Sequence, residues 1–214
     1  PSNGGYGLYP VQCKNILMED NFVSGASDSG VYVGQSQNVI IRNNYASYNV
    51  AGLEIENSSF VEAYGNTAEF NTAGLLIFNL PDLSQLGRNI KVYHNTLRQN
   101  NIPNFAHRSN IVAEVQAGIG LMILSVQNVE IYKNKFENNS TSSILIVNYQ
   151  TTSRPVNDPS YDSHNKNIKI YQNTYLNSGF HPQKGASKNS KVIMKWLRKN
   201  LSTFSFKTLA RKKK

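Results

Sequence analysis

Glu54 and Glu56 stand two residues apart in the stretch AGLEIENS. On a strand that spacing puts both carboxyls on one face, roughly 7 Å apart, near the separation at which one carboxyl protonates a glycosidic oxygen while the other activates water. Tyr9, Tyr32 and Asp28 fall beside them when the chain is aligned on its glycines, so the five residues make one candidate face. Two glutamates at strand spacing also describe a solvated outer face, and Asp28, in the turn SDSG, suits a side-chain-to-backbone turn bond better than a base. A second set, Tyr64, Tyr93, Tyr132 and Tyr171 with Arg42 at its end, offers a flat aromatic strip to sugar rings and a guanidinium to a sugar carboxylate. The same tyrosines could instead brace adjacent strands. No residue is assigned a catalytic role. The four histidines, His94, His107, His164 and His181, show no ligand spacing, and Cys13 is the one cysteine, so neither a metal nor another cofactor is expected.

What positions these residues is a repeat. Asparagines recur at Asn21, Asn44, Asn66, Asn95, Asn134 and Asn173, each closing a short apolar run: NILMEDN, NVIIRNN, FVEAYGN, NIKVYHN, NVEIYKN, NIKIYQN. A second set, Asn49, Asn71, Asn100 and Asn139, follows five residues behind the first. The first-set spacings are 23, 22, 29, 39 and 39, a basic unit of 22 with loops inserted near 80–88, 101–118 and 149–166. Such a unit has no room for two helices but fits three short strands, the turn of a stacked β-solenoid. The predicted fold is therefore all-β, a parallel β-helix of about six turns, with the asparagines as buried corners bonded along the stack.

The columns follow from the register. Leu8, Val31, Leu53, Leu75, Leu121 and Ile144 form one inward column, and Pro10, Val33, Ile55, Ile77, Ile123 and Ile146 another. Between them the outward positions are polar in the first three turns (Tyr9, Tyr32, Glu54, Glu56) and apolar in the last three (Leu76, Phe78, Met122, Leu124, Leu145, Val147). An apolar outer face of that size needs a cover, either the 80–88 and 149–166 loops folding back or a protein partner. The next sheet carries outward Glu62, Lys91, Glu130 and Lys169 beside the tyrosine strip, an arrangement that favours register and solubility.

The stretches YGLYPVQCKNILMEDN, SDSGVYVGQSQNVIIRNN, NVAGLEIENS, NTAGLLIFNLPDL and NNIPNFA together resemble the bacterial parallel β-helix repeat proteins, a right-handed, pectin-lyase-like family, over about Tyr6 to Phe180. The resemblance implies an extracytoplasmic protein, often a lipoprotein, without an established activity. The same fold hosts polysaccharide lyases, galacturonases and alginate epimerases, which leaves a carbohydrate-active enzyme as the alternative to polysaccharide binding, and a ligand-free surface scaffold as a third reading. YGLYPVQ is similar to the Tyr-Gly-x-Asp-Pro-His-Asp stretch of mannuronan epimerases, but Tyr9 replaces the aspartate and Val11 the histidine, so that acid–base chemistry is missing.

Charge divides the chain. Residues 1–183 hold 11 Lys and Arg against 13 Asp and Glu, while residues 184–214 hold 11 Lys and Arg and no acid, so the net +9 belongs to the tail and gives no reason to expect nucleic acid as a partner. The β-helix is expected to span 1–183. The tail 184–214 places Val192, Ile193, Trp196, Leu197 and Leu201 at roughly helical spacing: a cap for the open solenoid end, a segment foreign to the fold, or a cationic helix for a membrane. The sequence starts at Pro1, so an export signal or lipid anchor would lie upstream.

Overall fold

The computed structural model describes residues 4–182; the tail from 184 onward, with its cap, foreign-segment and membrane readings, lies outside them. Eighteen strands form three parallel six-stranded sheets, and successive rungs of the coil pair in register. Sheet A contains Ser29–Gly34, Ala51–Glu56, Ala73–Phe78, Ile119–Leu124 and their equivalents at either end; sheet B contains Lys14–Glu19 through Lys166–Tyr171; the short strands of sheet C run from Phe22–Ser24 to Thr174–Leu176. Each rung is one pass through the three sheets, giving six rungs as the repeat predicts. The pairings Leu8 with Val31, Leu53 with Leu75 and Leu121 with Ile144 reproduce the expected inward column.

The chain turns between sheets at residues in the left-handed backbone region. Asp20, Asn43, Gly65, His94, Lys133 and Gln172 have φ between 54° and 66°, and each is followed by a first-set asparagine. The side-chain oxygen of that asparagine accepts both the backbone N–H and the amide N–H of its counterpart one rung earlier, as when Asn66 donates twice to Asn95 at 2.9 Å. The second column behaves alike, with Asn71 donating to Asn100. Both sets are buried in the middle rungs, which satisfies the polar backbone at corners where no sheet ladder reaches it. At the third corner hydroxyls serve: Cys13 N–H donates to Ser36 and Ser36 N–H to Ser58.

The core fills the triangular interior with aliphatic columns. A second cluster lies outside sheet A and covers Leu76, Phe78, Met122, Leu124 and Leu145, with Val147 packed at its margin. The expected loops contribute Leu80, Leu86, Tyr149 and Tyr161, but the central contribution comes from 101–118 through Val112 and Val115. That loop had no assigned role in the sequence reading because its apolar residues have no strand or helix period. Arg154 ties it to the next loop through Glu114 at 2.7 Å, and the Tyr161 hydroxyl donates to the Asn79 carbonyl at 2.7 Å. Truncating Val112 to alanine should cost about 2 kcal/mol, because its side chain is fully enclosed. Urea unfolding measures this; an unchanged midpoint would mean the loop does not seal the face.

The last rung has no neighbour beyond it among the described residues. Ile170 and Tyr175 are 41% and 52% exposed at positions where Ile131 and Phe136, one rung earlier, are fully buried.

Candidate functional site

Two outer faces carry groups capable of chemistry. The first lies on sheet A at its N-terminal end, where the sequence reading expected water-facing glutamates. The structure corrects this. Glu54 is 1% exposed, Tyr32 and Asp28 are both 4% exposed, and Glu56 is partly buried, whereas Tyr9 remains open. The reason is the 101–118 loop, whose Asn110 donates its amide to Asp28 Oδ2 at 2.9 Å. Asp28, expected as a turn-former, is instead the hub of a buried network: it also accepts from the Tyr6 hydroxyl at 3.1 Å and shares a hydrogen bond with the Glu54 carboxyl. Ser29 donates its hydroxyl to Glu54, and Tyr32 donates to Glu56 at 2.7 Å.

Burial raises the affinity of all three carboxyls in this space for protons. Burial pushes Glu54 well above the ordinary carboxyl range, and the charges of Glu56 and Asp28 push it further. Glu56 and Asp28 are raised as well, chiefly by burial, although hydrogen bonds from Tyr32 to the one and from Tyr6 and Asn110 to the other act in the opposite direction. Asp28 and Glu54 therefore each hold a proton more tightly than an exposed carboxyl does. Tyr6, Tyr9 and Tyr32 stack above the cluster with ring centroids 4.1 to 4.9 Å apart. Sequence reasoning missed Tyr6, Ser29 and Asn110; Tyr6 was within reach, since it pairs in register with Ser29.

The second face is the outside of sheet B. Tyr64, Tyr93, Tyr132 and Tyr171 form the expected column, with centroids 4.9 to 5.0 Å apart and planes within 2 to 9° of parallel. Their flat faces are turned on one another, so the strip presents ring edges and hydroxyls to solvent. Arg42 caps the column by donating to the Tyr64 hydroxyl at 3.2 Å, and it is also held by Glu19. Lys91 pairs with Glu62 and Lys169 with Glu130, both at 3.3 Å, while Tyr93 and Tyr171 donate to the other oxygens of the same glutamates. Bonds from Tyr171 and Lys169 hold Glu130 below the usual carboxylate range.

Alongside runs a trough of about 670 Å³ that the sequence reading did not anticipate. The second and fourth residues of each sheet B strand both face outward, as strand alternation places them, and the second has positive φ. One wall is Phe60, Asn89, Asn128 and Asn167; the other is the ion-paired column Glu62, Lys91, Glu130 and Lys169. The wall amides bond from rung to rung, Asn128 to Asn89 at 3.2 Å and Asn167 to Asn128 at 2.9 Å. Among the described residues no group of three or more His, Cys, Asp or Glu is placed to hold a metal ion, and no helix is long and apolar enough to cross a membrane.

Residues 2–174 match the family described as the right-handed β-helix region. The chain belongs to the right-handed β-helix family. Among solved structures, this β-helix is similar to the periplasmic alginate epimerase AlgG, with a TM-score of 0.60 at 15% identity, and to a point mutant of that epimerase, with a TM-score of 0.59 at 15% identity. Each alignment covers 80% of this chain and 42% of the epimerase chain, so this β-helix spans less than half of that length. At that identity the likeness is one of fold. No curated protein matches the chain in sequence.

Proposed function

We propose that this β-helix binds polysaccharide along the outer face of sheet B and acts outside the cytoplasm. The observation that carries the reading is the trough, in which amides and paired charges repeat at the rung spacing of ~4.8 Å along one axis, with the tyrosine column running beside it. A linear polymer of hydroxyl-rich units can meet such a surface repeatedly, each unit making weak bonds that add along the chain. Tyr64, Tyr93, Tyr132 and Tyr171 serve as the rim through edges and hydroxyls, and Arg42 closes it at one end. A fold neighbour named for alginate and for the periplasm supports both the substrate class and the location.

We assign the carboxyl cluster of Asp28, Glu54 and Glu56 to holding the covering loop rather than to acid–base catalysis, because Glu54 is 1% exposed and bonded on the inside of that loop. Asn128→Gly tests the binding face. Glycine accepts the left-handed backbone, so stability should hold, while the loss of one or two sugar hydrogen bonds should weaken retention about three- to tenfold. Affinity electrophoresis through gels containing polysaccharide reads this. Wild-type protein that no polymer retards would favour the scaffold reading.

A further inference from the structure

We propose that Phe60 is a sugar-stacking residue and that the trough it closes takes a neutral polysaccharide; this rests on the sheet B reading above. The second position of the six sheet B strands reads Asn15, Asn38, Phe60, Asn89, Asn128, Asn167, and all six have φ between 53° and 59°. Asparagine tolerates that conformation, whereas a bulky aromatic adopts it at a conformational cost. Phe60 also interrupts the outer amide ladder, which bonds Asn38 to Asn15 on one side and Asn167 through Asn128 to Asn89 on the other. Neither local backbone preference nor ladder bonding accounts for a phenylalanine there.

Its surroundings offer an account. Phe60 forms one end of the trough wall and is 53% exposed. Other outward aromatics of this β-helix stack on a ring of the next rung, as Phe22 does on Tyr45, Tyr48 on Phe70, and the four tyrosines on each other. No ring stacks on Phe60 among the described residues. Phe60 is thus the aromatic that the lining of the trough offers, which the tyrosine strip does not supply. A sugar ring presents C–H groups on one face, and stacking them on an aromatic orients the sugar while its hydroxyls reach the amides beyond.

The charge of the trough selects the polymer. Glu62 and Glu130 are neutralised by Lys91 and Lys169, so the two walls carry no net charge. A polyuronate would find no unpaired cation in the trough and would face two carboxylates. The amides of Asn89, Asn128 and Asn167 each spend one N–H at most on the ladder and keep donor and acceptor capacity for uncharged hydroxyls.

The test is affinity electrophoresis of the whole chain in gels containing hydroxyethyl cellulose, galactomannan or polygalacturonate, at low and high salt. At least one neutral polymer should retard the wild type equally at both salt concentrations. Phe60→Asn should weaken that retardation about tenfold or more while the unfolding midpoint stays constant or rises, and Phe60→Trp should preserve binding. Retention by polygalacturonate alone, lost in high salt, would overturn the proposal, as would a Phe60→Asn variant that binds like the wild type. If Asn128→Gly weakens binding and Phe60→Asn does not, Phe60 is excluded and the sheet B face stands. If no polymer retards the wild type, or both variants bind unchanged, the face itself is wrong.

Discussion

Replacing Asn95 by leucine is expected to lower the stability of the fold by about 3–5 kcal/mol, at 1–3 kcal/mol for each buried polar group left without a partner. The Asn95 side chain takes part in five hydrogen bonds: it accepts from the backbone and amide of Asn66 and donates to Ala63, Tyr93 and Asn134, all between 2.9 and 3.1 Å. Leucine matches the volume and supplies none of these, and with 1% exposure water cannot substitute. At about 2–4 °C per kcal/mol for a chain of this size, the midpoint should fall by about 10 °C. Asn128→Gly, in the exposed amide ladder, should show no comparable drop, since water satisfies what it leaves behind. Equal midpoints for wild type and Asn95→Leu would show that the corner is hydrated and the burial misjudged.

The carboxyl cluster should make the protein more stable in mild acid than in mild base. Burial, with Glu56 and Asp28 adding, raises the folded-state pKa of Glu54 above its unfolded value. The stability linked to this proton is complete below the unfolded pKa and is lost as pH climbs through the folded one. Asp28 and Glu56 are shifted in the same direction and steepen the decline. The polar groups facing Glu54 are Ser29 and Asp28, with Asn110, Tyr6, Tyr32 and Glu56 beyond them. Between about pH 5 and pH 8 the melting temperature should fall by about 5 °C or more, and Glu54→Gln should be the more stable protein at the upper end and show the shallower profile. The glutamine amide can donate to Asp28 and accept from Ser29, as the protonated acid does. Thermal melts across that range decide the matter; stability that rises with pH would mean Glu54 is ionised and paired.

Most of the coil was legible because a β-solenoid writes its geometry as periodicity. The corner asparagines announce the rung length, and strand alternation then assigns each residue to the inside or the outside. What alternation does not report is cover. Glu54 occupies an outward position, as its place in AGLEIENS says, yet it is enclosed, because Asn110 bonds to the neighbouring Asp28, 82 positions before it in the chain. The tyrosine column was legible as a column but not as rings turned face to face, since side-chain torsion leaves no mark in spacing. The trough escaped for a different reason: alternation places the second-position asparagines and the fourth residues of the sheet B strands on the outside but does not report the groove between their columns. The interruption of that asparagine column by Phe60 was visible in the sequence and would have pointed to it.

The rung-on-rung pairing also sets how the molecule comes apart. Every ladder contact joins a rung to its immediate neighbours, so cooperativity decays along the coil rather than being shared by a single centre. Among the described residues the first and last rungs pair on one side, whereas those under the loop cover are clamped from outside as well, through contacts such as Arg154 with Glu114. The Ala73–Phe78 and Ile119–Leu124 strands lie in that clamped stretch, and their amide hydrogens are expected to be the last of the described coil to exchange. The trough spans rungs three to six, from the clamped rungs to the last of the described coil, where Ile170 is 41% exposed, which grades the rigidity of the binding face along its own length.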